Sequence, residues 1–199
     1  MINIRINTAL IGALLLATNM AYANPKDDSA KQKPKGSFSF TTDFSGAEVY
    51  GSGSHRYRMV LLDSWGKRPL ANQDYALSND QVDLPFVKES KKVFQGKTDD
   101  KGRTAVFAFK KAVPQSGWNL RPRVGSGPLG EQMVIKDSDG NPNVDFDYTL
   151  VVCEANDPYI YRGYTDVSGQ TAYVATQTPA NILVYITGDE PEGEKVCAK

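Results

Sequence analysis

The sequence predicts an all-β protein: two small antiparallel β-sandwiches in tandem behind a cleaved signal peptide. Three observations carry this expectation. A short stretch, Phe94-Gln95-Gly96-Lys97-Thr98-Asp99-Asp100-Lys101-Gly102-Arg103-Thr104, recurs 67 positions on as Tyr161-Arg162-Gly163-Tyr164-Thr165-Asp166-Val167-Ser168-Gly169-Gln170-Thr171. Each copy reads as a strand, a tight turn and a returning strand, because the Asp can accept turn amides and the later Gly can take positive φ. Each copy is also preceded by an Asp-to-Pro turn, Asp63-Ser64-Trp65-Gly66-Lys67-Arg68-Pro69 and then Asp137-Ser138-Asp139-Gly140-Asn141-Pro142. Tyr75 and Leu77 follow the first proline at the same distances as Tyr148 and Leu150 follow the second. Two motifs in one order mark a duplication. The connection after Leu150 is six residues shorter than the one after Leu77, as expected of a trimmed loop. Finally, apolar residues follow period two and no segment has a helical period.

Taken in order, Arg5, the apolar run over residues 9–17 and Ala21-Tyr22-Ala23 form a secretory signal peptide over residues 1–23. No cysteine stands at the expected cleavage site and no later run is long enough to cross a bilayer as a helix, so neither a lipid anchor nor membrane insertion is expected. Removing Arg5 leaves 22 of the 23 basic residues against 23 acidic ones. A net charge of −1 gives no electrostatic basis for binding nucleic acid. Residues 24–36 hold four lysines and almost no apolar surface, which predicts a flexible leader.

The first sandwich is assigned to residues 37–112, with strands expected over 37–41, 57–62, 74–77, 92–97 and 104–109 and with loops at Gly46, Gly51 and Gly53. Residues 113–130 contain Pro114, Gly117, Pro122, Gly125, Gly127, Pro128 and Gly130, which predicts a boundary segment without helix or strand. The second sandwich is assigned to residues 131–199, with strands over 132–136, 145–152, 158–164, 171–176 and 182–187 and an edge closed near Cys197. Cys153 and Cys197, the only cysteines, are expected to pair in an oxidising compartment.

The order Asp-x-x-Gly-x-Pro, Tyr-x-Leu, Gly-x-Thr-Asp-x-x-Gly-x-Thr resembles the transthyretin-like and carboxypeptidase-regulatory-like repeats of the immunoglobulin-like β-sandwich class. Similar repeats occur in extensions of type VI secretion spike (VgrG-like) proteins and in bacterial surface proteins. The resemblance covers residues 56–110 and 131–187, and it implies binding, spacing or presenting other proteins rather than a particular chemistry.

Catalytic and metal chemistry finds little support in the residues. His55 is the only histidine and has no nucleophile motif beside it. Asp137, Asp139, Asn141, Asn143 and Asp145 alternate like a calcium loop, but Tyr148 occupies the position of the bidentate Glu. Asp99, Asp100 and Asp166 are expected to serve hairpin turns. No cofactor or metal is assigned. Trp118, Arg121 and Arg123 in the boundary segment, with Tyr159, Tyr161 and Arg162 on a later strand, have the composition of an interface. The expected function is that of an exported, periplasmic or secreted, non-enzymatic protein-binding module whose partner is a toxin or secretion-system component, with an immunity protein that neutralises a secretion-system toxin as the leading reading. The alternatives are an adhesin-type surface subunit and a hydrolase using Asp137, Asp139 and Asp145, with or without calcium.

Overall fold

The computed structural model describes residues 36–87, 93–154, 159–186 and 197. The expected signal peptide and the expected leader before Gly36 lie outside the described residues. Among those described, the chain is all-β without an α-helix, and its strands form several small sheets around two larger apolar cores and a third, smaller cluster.

Strand β1 (Phe38–Phe40) pairs with β4 (Met59–Leu61). β2 (Val49–Gly51) runs parallel to β7 (Val106–Phe109), whose other side pairs antiparallel with β3 (His55–Tyr57). β5 (Asp74–Asn79) lies between β6 (Phe94–Lys97) and β8 (Trp118–Gly125). Beyond β8 come β12 (Tyr173–Thr176) and β9 (Leu129–Glu131), which complete a five-stranded sheet of order β6-β5-β8-β12-β9. β10 (Asp147–Cys153) is flanked by β11 (Tyr159–Tyr164) and β13 (Asn181–Ile186).

The duplication is reproduced bond for bond. Asp99 Oδ1 accepts the amides of Lys101 and Arg103, and Asp166 Oδ1 accepts those of Ser168 and Gln170. The threonines before and after each Asp staple the hairpin to its neighbours. Thr98 Oγ1 donates to Leu70 O and accepts from Gln73 N, as Thr165 Oγ1 does with Asn143 O and Phe146 N. Thr104 Oγ1 accepts from Met59 N and Thr171 Oγ1 from Met133 N. Each Tyr of the Tyr-x-Leu pair lies under the hairpin and takes a strand amide, Ala105 N to the Tyr75 hydroxyl and Ala172 N to that of Tyr148. Gly96 and Gly163 admit those rings: a Cβ on Gly96 would meet Tyr75 at 2.6 Å and one on Gly163 would meet Tyr148 at 2.9 Å.

The boundary segment differs from its expectation. Residues 118–125 are strand, despite Pro122, because each half of β8 pairs with a different neighbour. Residues 118–122 pair antiparallel with β5, and residues 123–125 pair parallel with β12. The first half matches β13, since Leu120 faces Leu77 as Val184 faces Leu150. The second half matches β2: Gly51 and Gly125 both have positive φ, and a Cβ there would meet Ala108 O at 2.4 Å or Ala175 O at 2.3 Å. One strand therefore ends the first copy and begins the second. A sequence signal existed, because Gly51-Ser52-Gly53 and Met59-Val60 recur 74 positions on as Gly125-Ser126-Gly127 and Met133-Val134. The strand expected over 132–136 is reduced to isolated bridges at Val134 and Lys136.

The first core surrounds Trp118, Phe107, Tyr75, Leu77 and Leu120, and the second surrounds Tyr148, Leu150, Val152 and Val174. The Cys153–Cys197 disulfide is formed, with Cα atoms 5.3 Å apart, and fixes the last described residue to the end of β10. Closing a loop of this length contributes about 4 kcal/mol in the chain-entropy model.

The two turn carboxylates share geometry but not charge environment. Burial pushes Asp99 up, but bonds from the Arg103 amide and guanidinium and from the Lys101 amide outweigh it and hold Asp99 below its ordinary 3.8. Arg58 adds a bond of 3.0 Å to Asp99 Oδ2. Asp166 has the Gln170 amide side chain where Asp99 has Arg103, and burial holds it above 3.8. A depressed carboxylate stabilises the fold above its unfolded pKa and loses that contribution as pH falls through the folded one. A raised carboxylate works against folding once pH climbs through the window above 3.8. The stability lost in Asp99→Asn should therefore grow between pH 3 and pH 7, while that lost in Asp166→Asn should shrink, as read by urea unfolding at both pH values.

Candidate binding surface

Two of the six residues expected to form an interface, Trp118 and Arg121, are buried in the fold, and three more are half-buried. Trp118 is 0% exposed because it points from β8 into the first core, with ring centroids 5.5 Å from Tyr57, 6.2 Å from Phe107 and 5.9 Å from Phe109. Arg121 lies on the opposite face of β8 and is also buried. Its Nη1 donates to Ser78 Oγ at 3.2 Å and Asn119 O at 3.3 Å, and its guanidinium sits 5.1 Å from the Tyr173 ring. Burial pushes Arg121 down to about 10. Arg123 bonds Asp74 Oδ2 at 3.3 Å. Tyr159 and Tyr161 are half-buried against the second core, and Arg162 alone of the six is exposed. Period-two alternation accounts for this: β8 turns its aromatic and aliphatic residues into the cores and its arginines onto the face where the two copies meet.

That junction joins a small apolar cluster, Ala76, Tyr173 and Ala175, to a set of polar bonds. Asn119 Nδ2 donates to Gln170 Oε1 at 3.2 Å, and Gln170 Nε2 donates to Asp166 Oδ2 at 3.2 Å. Nearby, Ser64 Oγ donates to Asp145 Oδ1 at 2.9 Å, Ser37 Oγ donates to Ser64 O at 3.3 Å, and Val167 N donates to Ser37 Oγ at 3.4 Å. These contacts bring the Asp63-to-Pro69 turn of the first copy against the Asp166-to-Gly169 turn of the second.

The two copies act as internal controls for each other. Asp63 N bonds Arg68 O and Gly66 N bonds Asp63 O; Asp137 N bonds Asn141 O and Gly140 N bonds Asp137 O. The second turn closes with Asp139 in place of Trp65 and with nothing in place of Lys67. Turn geometry therefore requires neither Trp65 nor Lys67. Trp65 is nevertheless 61% exposed, with Lys67 Nζ 5.7 Å from its ring centroid. Asp63, Trp65, Lys67 and Arg68 line a surface depression.

The second copy shows an excess of its own. Val167, 46% exposed, stands where the first copy has Asp100; Val144 stands for Ala71 and Tyr164 for Lys97, and both are exposed. A Cβ built on Gly66 would be 3.8 Å from Val167 Cγ1, so Trp65 and Val167 belong to neighbouring turn tips. Single exposed apolar residues need no explanation, but Trp65 and Val167 on neighbouring turn tips at the junction mark an interaction surface. Sequence reasoning missed Trp65, Val144 and Val167; aligning the copies position by position would have raised each.

Of the carboxylates considered for calcium chemistry, Asp137 and Asp145 have local partners. Asp137 Oδ1 accepts from Asp139 N and Asn141 N, and its Oδ2 accepts from Asn141 Nδ2, while Asp145 serves Ser64. Hydrogen bonds led by the Asn141 amide hold Asp137 below its ordinary range. Among the described residues no group of three His, Cys, Asp or Glu is placed to hold a metal. His55 opens β3 and is exposed. Comparison with protein-family models, with curated proteins and with solved structures returns no match.

The two tryptophans provide a direct check on this assignment. Acrylamide should quench Trp65 and spare Trp118, so Trp65→Phe should leave only protected emission. Trp118→Ala should cost about 3–5 kcal/mol in chemical denaturation, and Trp65→Ala within about 0.5 kcal/mol.

Proposed function

We propose that this chain is an exported, non-enzymatic protein-binding module, composed of two tandem immunoglobulin- or transthyretin-like β-sandwich domains that share strand β8. In this reading it works in the periplasm as an immunity protein, occupying a secretion-system toxin through the surface around Trp65 and Val167. The observation that carries the proposal is the set of exposed apolar residues, Trp65, Val144, Tyr164 and Val167, at positions where the matching copy is polar or small. Tryptophan at the centre of a docking surface is the residue type whose truncation most weakens complexes. Export is supported by the signal-peptide pattern of residues 1–23, and the turn-bonded carboxylates Asp137 and Asp145 support a structural role for those residues.

A second reading, a self-assembling surface subunit, draws on β13. It lies at the edge of its three-stranded sheet among the described residues, and its sequence Asn181–Ile186 has no charge or proline to discourage strand pairing.

The test is chemical cross-linking and capture by residues 24–199, disulfide intact, from periplasmic extract and culture fluid. One stoichiometric partner, retained by the parent chain and lost with Trp65→Ala and with Val167→Asp, is the expected result, and the chain should suppress that partner's toxicity. Retention of the same partner by both variants would rule out this surface, and recovery of the chain alone as an oligomer would favour the subunit reading.

A further inference from the structure

We infer that the partner engages this surface with an acidic segment, an apolar side chain seated against Trp65 and Val167 and carboxylates meeting Lys67 and Arg68. This rests on the protein-binding reading above and specifies the chemistry of the partner.

The depression is complementary in charge to an acidic segment. Asp63 is the only carboxylate in the depression, and its side chain is 12% exposed. Its Oδ1 accepts the Lys67 amide at 2.8 Å and its Oδ2 the Arg68 Nε at 3.0 Å. Those bonds, led by the Lys67 amide, also hold it below its ordinary range, so it stays ionised and inward. The cations face out: the Arg68 side chain is 85% exposed and uses its Nε inward, and Lys67 extends over the indole. A cation held beside an aromatic face offers an incoming segment both apolar area and a counter-charge. The remaining charges fix the orientation. Asp166 is buried in its own turn and Asp145 is bonded to Ser64, whereas the exposed Asp147 stands opposite Tyr164 on the neighbouring strand. The partner's carboxylates therefore belong at the Lys67 and Arg68 end. The second copy is again the control, because its matching turn presents Asp137 and Asp139 without Lys or Arg and would repel the same segment.

The experiment uses an array of short synthetic peptides, each with a central Leu or Phe flanked by Asp and Glu, by Asn and Gln, or by Lys, probed with labelled residues 24–199. Acid-flanked peptides should retain the chain at least about tenfold more strongly than Lys-flanked ones. Retention should fall as salt rises from about 50 to about 200 mM. It should be lost in Trp65→Ala and in the Lys67→Glu, Arg68→Glu double variant, both checked as folded by protected Trp118 emission. Equal retention of the three peptide classes, retention unchanged by Trp65→Ala, or a silent array overturns the inference. A silent array beside Trp65-dependent capture of a partner leaves the protein-binding reading standing, whereas a silent array with no capture removes both.

Discussion

Strand β8 is the constraint on which the rest of the structure depends. Its residues 118–122 complete the sheet with β5 and β6, and its residues 123–125 provide β12 with a parallel neighbour. Trp118 and Leu120 enter the first core, and Val124 packs on the second. A single strand thus carries side chains of both cores and main-chain bonds to both copies. Asn119, Arg121 and Arg123 on its other face supply the junction with Gln170, Ser78, Tyr173 and Asp74. Because the strand is continuous, the two copies have little freedom to rotate about each other, and the turns carrying Trp65 and Val167 are held side by side without a partner. Such pre-organisation reduces the ordering cost of binding.

Duplication separates structure from function within one chain. Features that both copies keep, the Thr-Asp-x-x-Gly-x-Thr bonds and the Tyr hydroxyl that accepts a strand amide, are needed to close each hairpin onto its core. Features kept by one copy only are free of that requirement. Some of these still serve the fold: Arg58 and Arg103 surround Asp99, and at the matching positions Gln132 donates to Thr171 O and Gln170 to Asp166. The Trp65 indole and the Lys67 ammonium enter no such network: Lys67 serves the turn through its backbone amide alone, and its side chain lies by the indole.

Much of the fold was readable from the residues. The hairpin repeat, the Asp-to-Pro turns, strands β5, β6, β7, β10 and β11 and the disulfide follow from local rules of alternation, turn chemistry and compartment. β2, β8 and β9 did not, because Gly and Pro were read as breakers. In this fold Gly51 and Gly125 stand where a parallel partner's carbonyl leaves no room for a Cβ, and Pro122 ends a pairing that another strand resumes. The site was less readable for a related reason. Trp118 and Arg121 have interface composition, but facing direction depends on strand register, which composition does not encode. Trp65 sat within a motif already explained as a turn.

Native-state hydrogen exchange of Leu120→Ala against the parent chain tests the shared strand most directly. The substitution opens a cavity in the first core at a cost of about 2–5 kcal/mol. If β8 couples the copies, the amides of Val174 and Ala175 in β12 lose protection together with those of Ala76 and Leu77 in β5. If β12 keeps the parent's protection while β5 loses it, the copies fold independently and the account of a pre-formed surface at their junction fails.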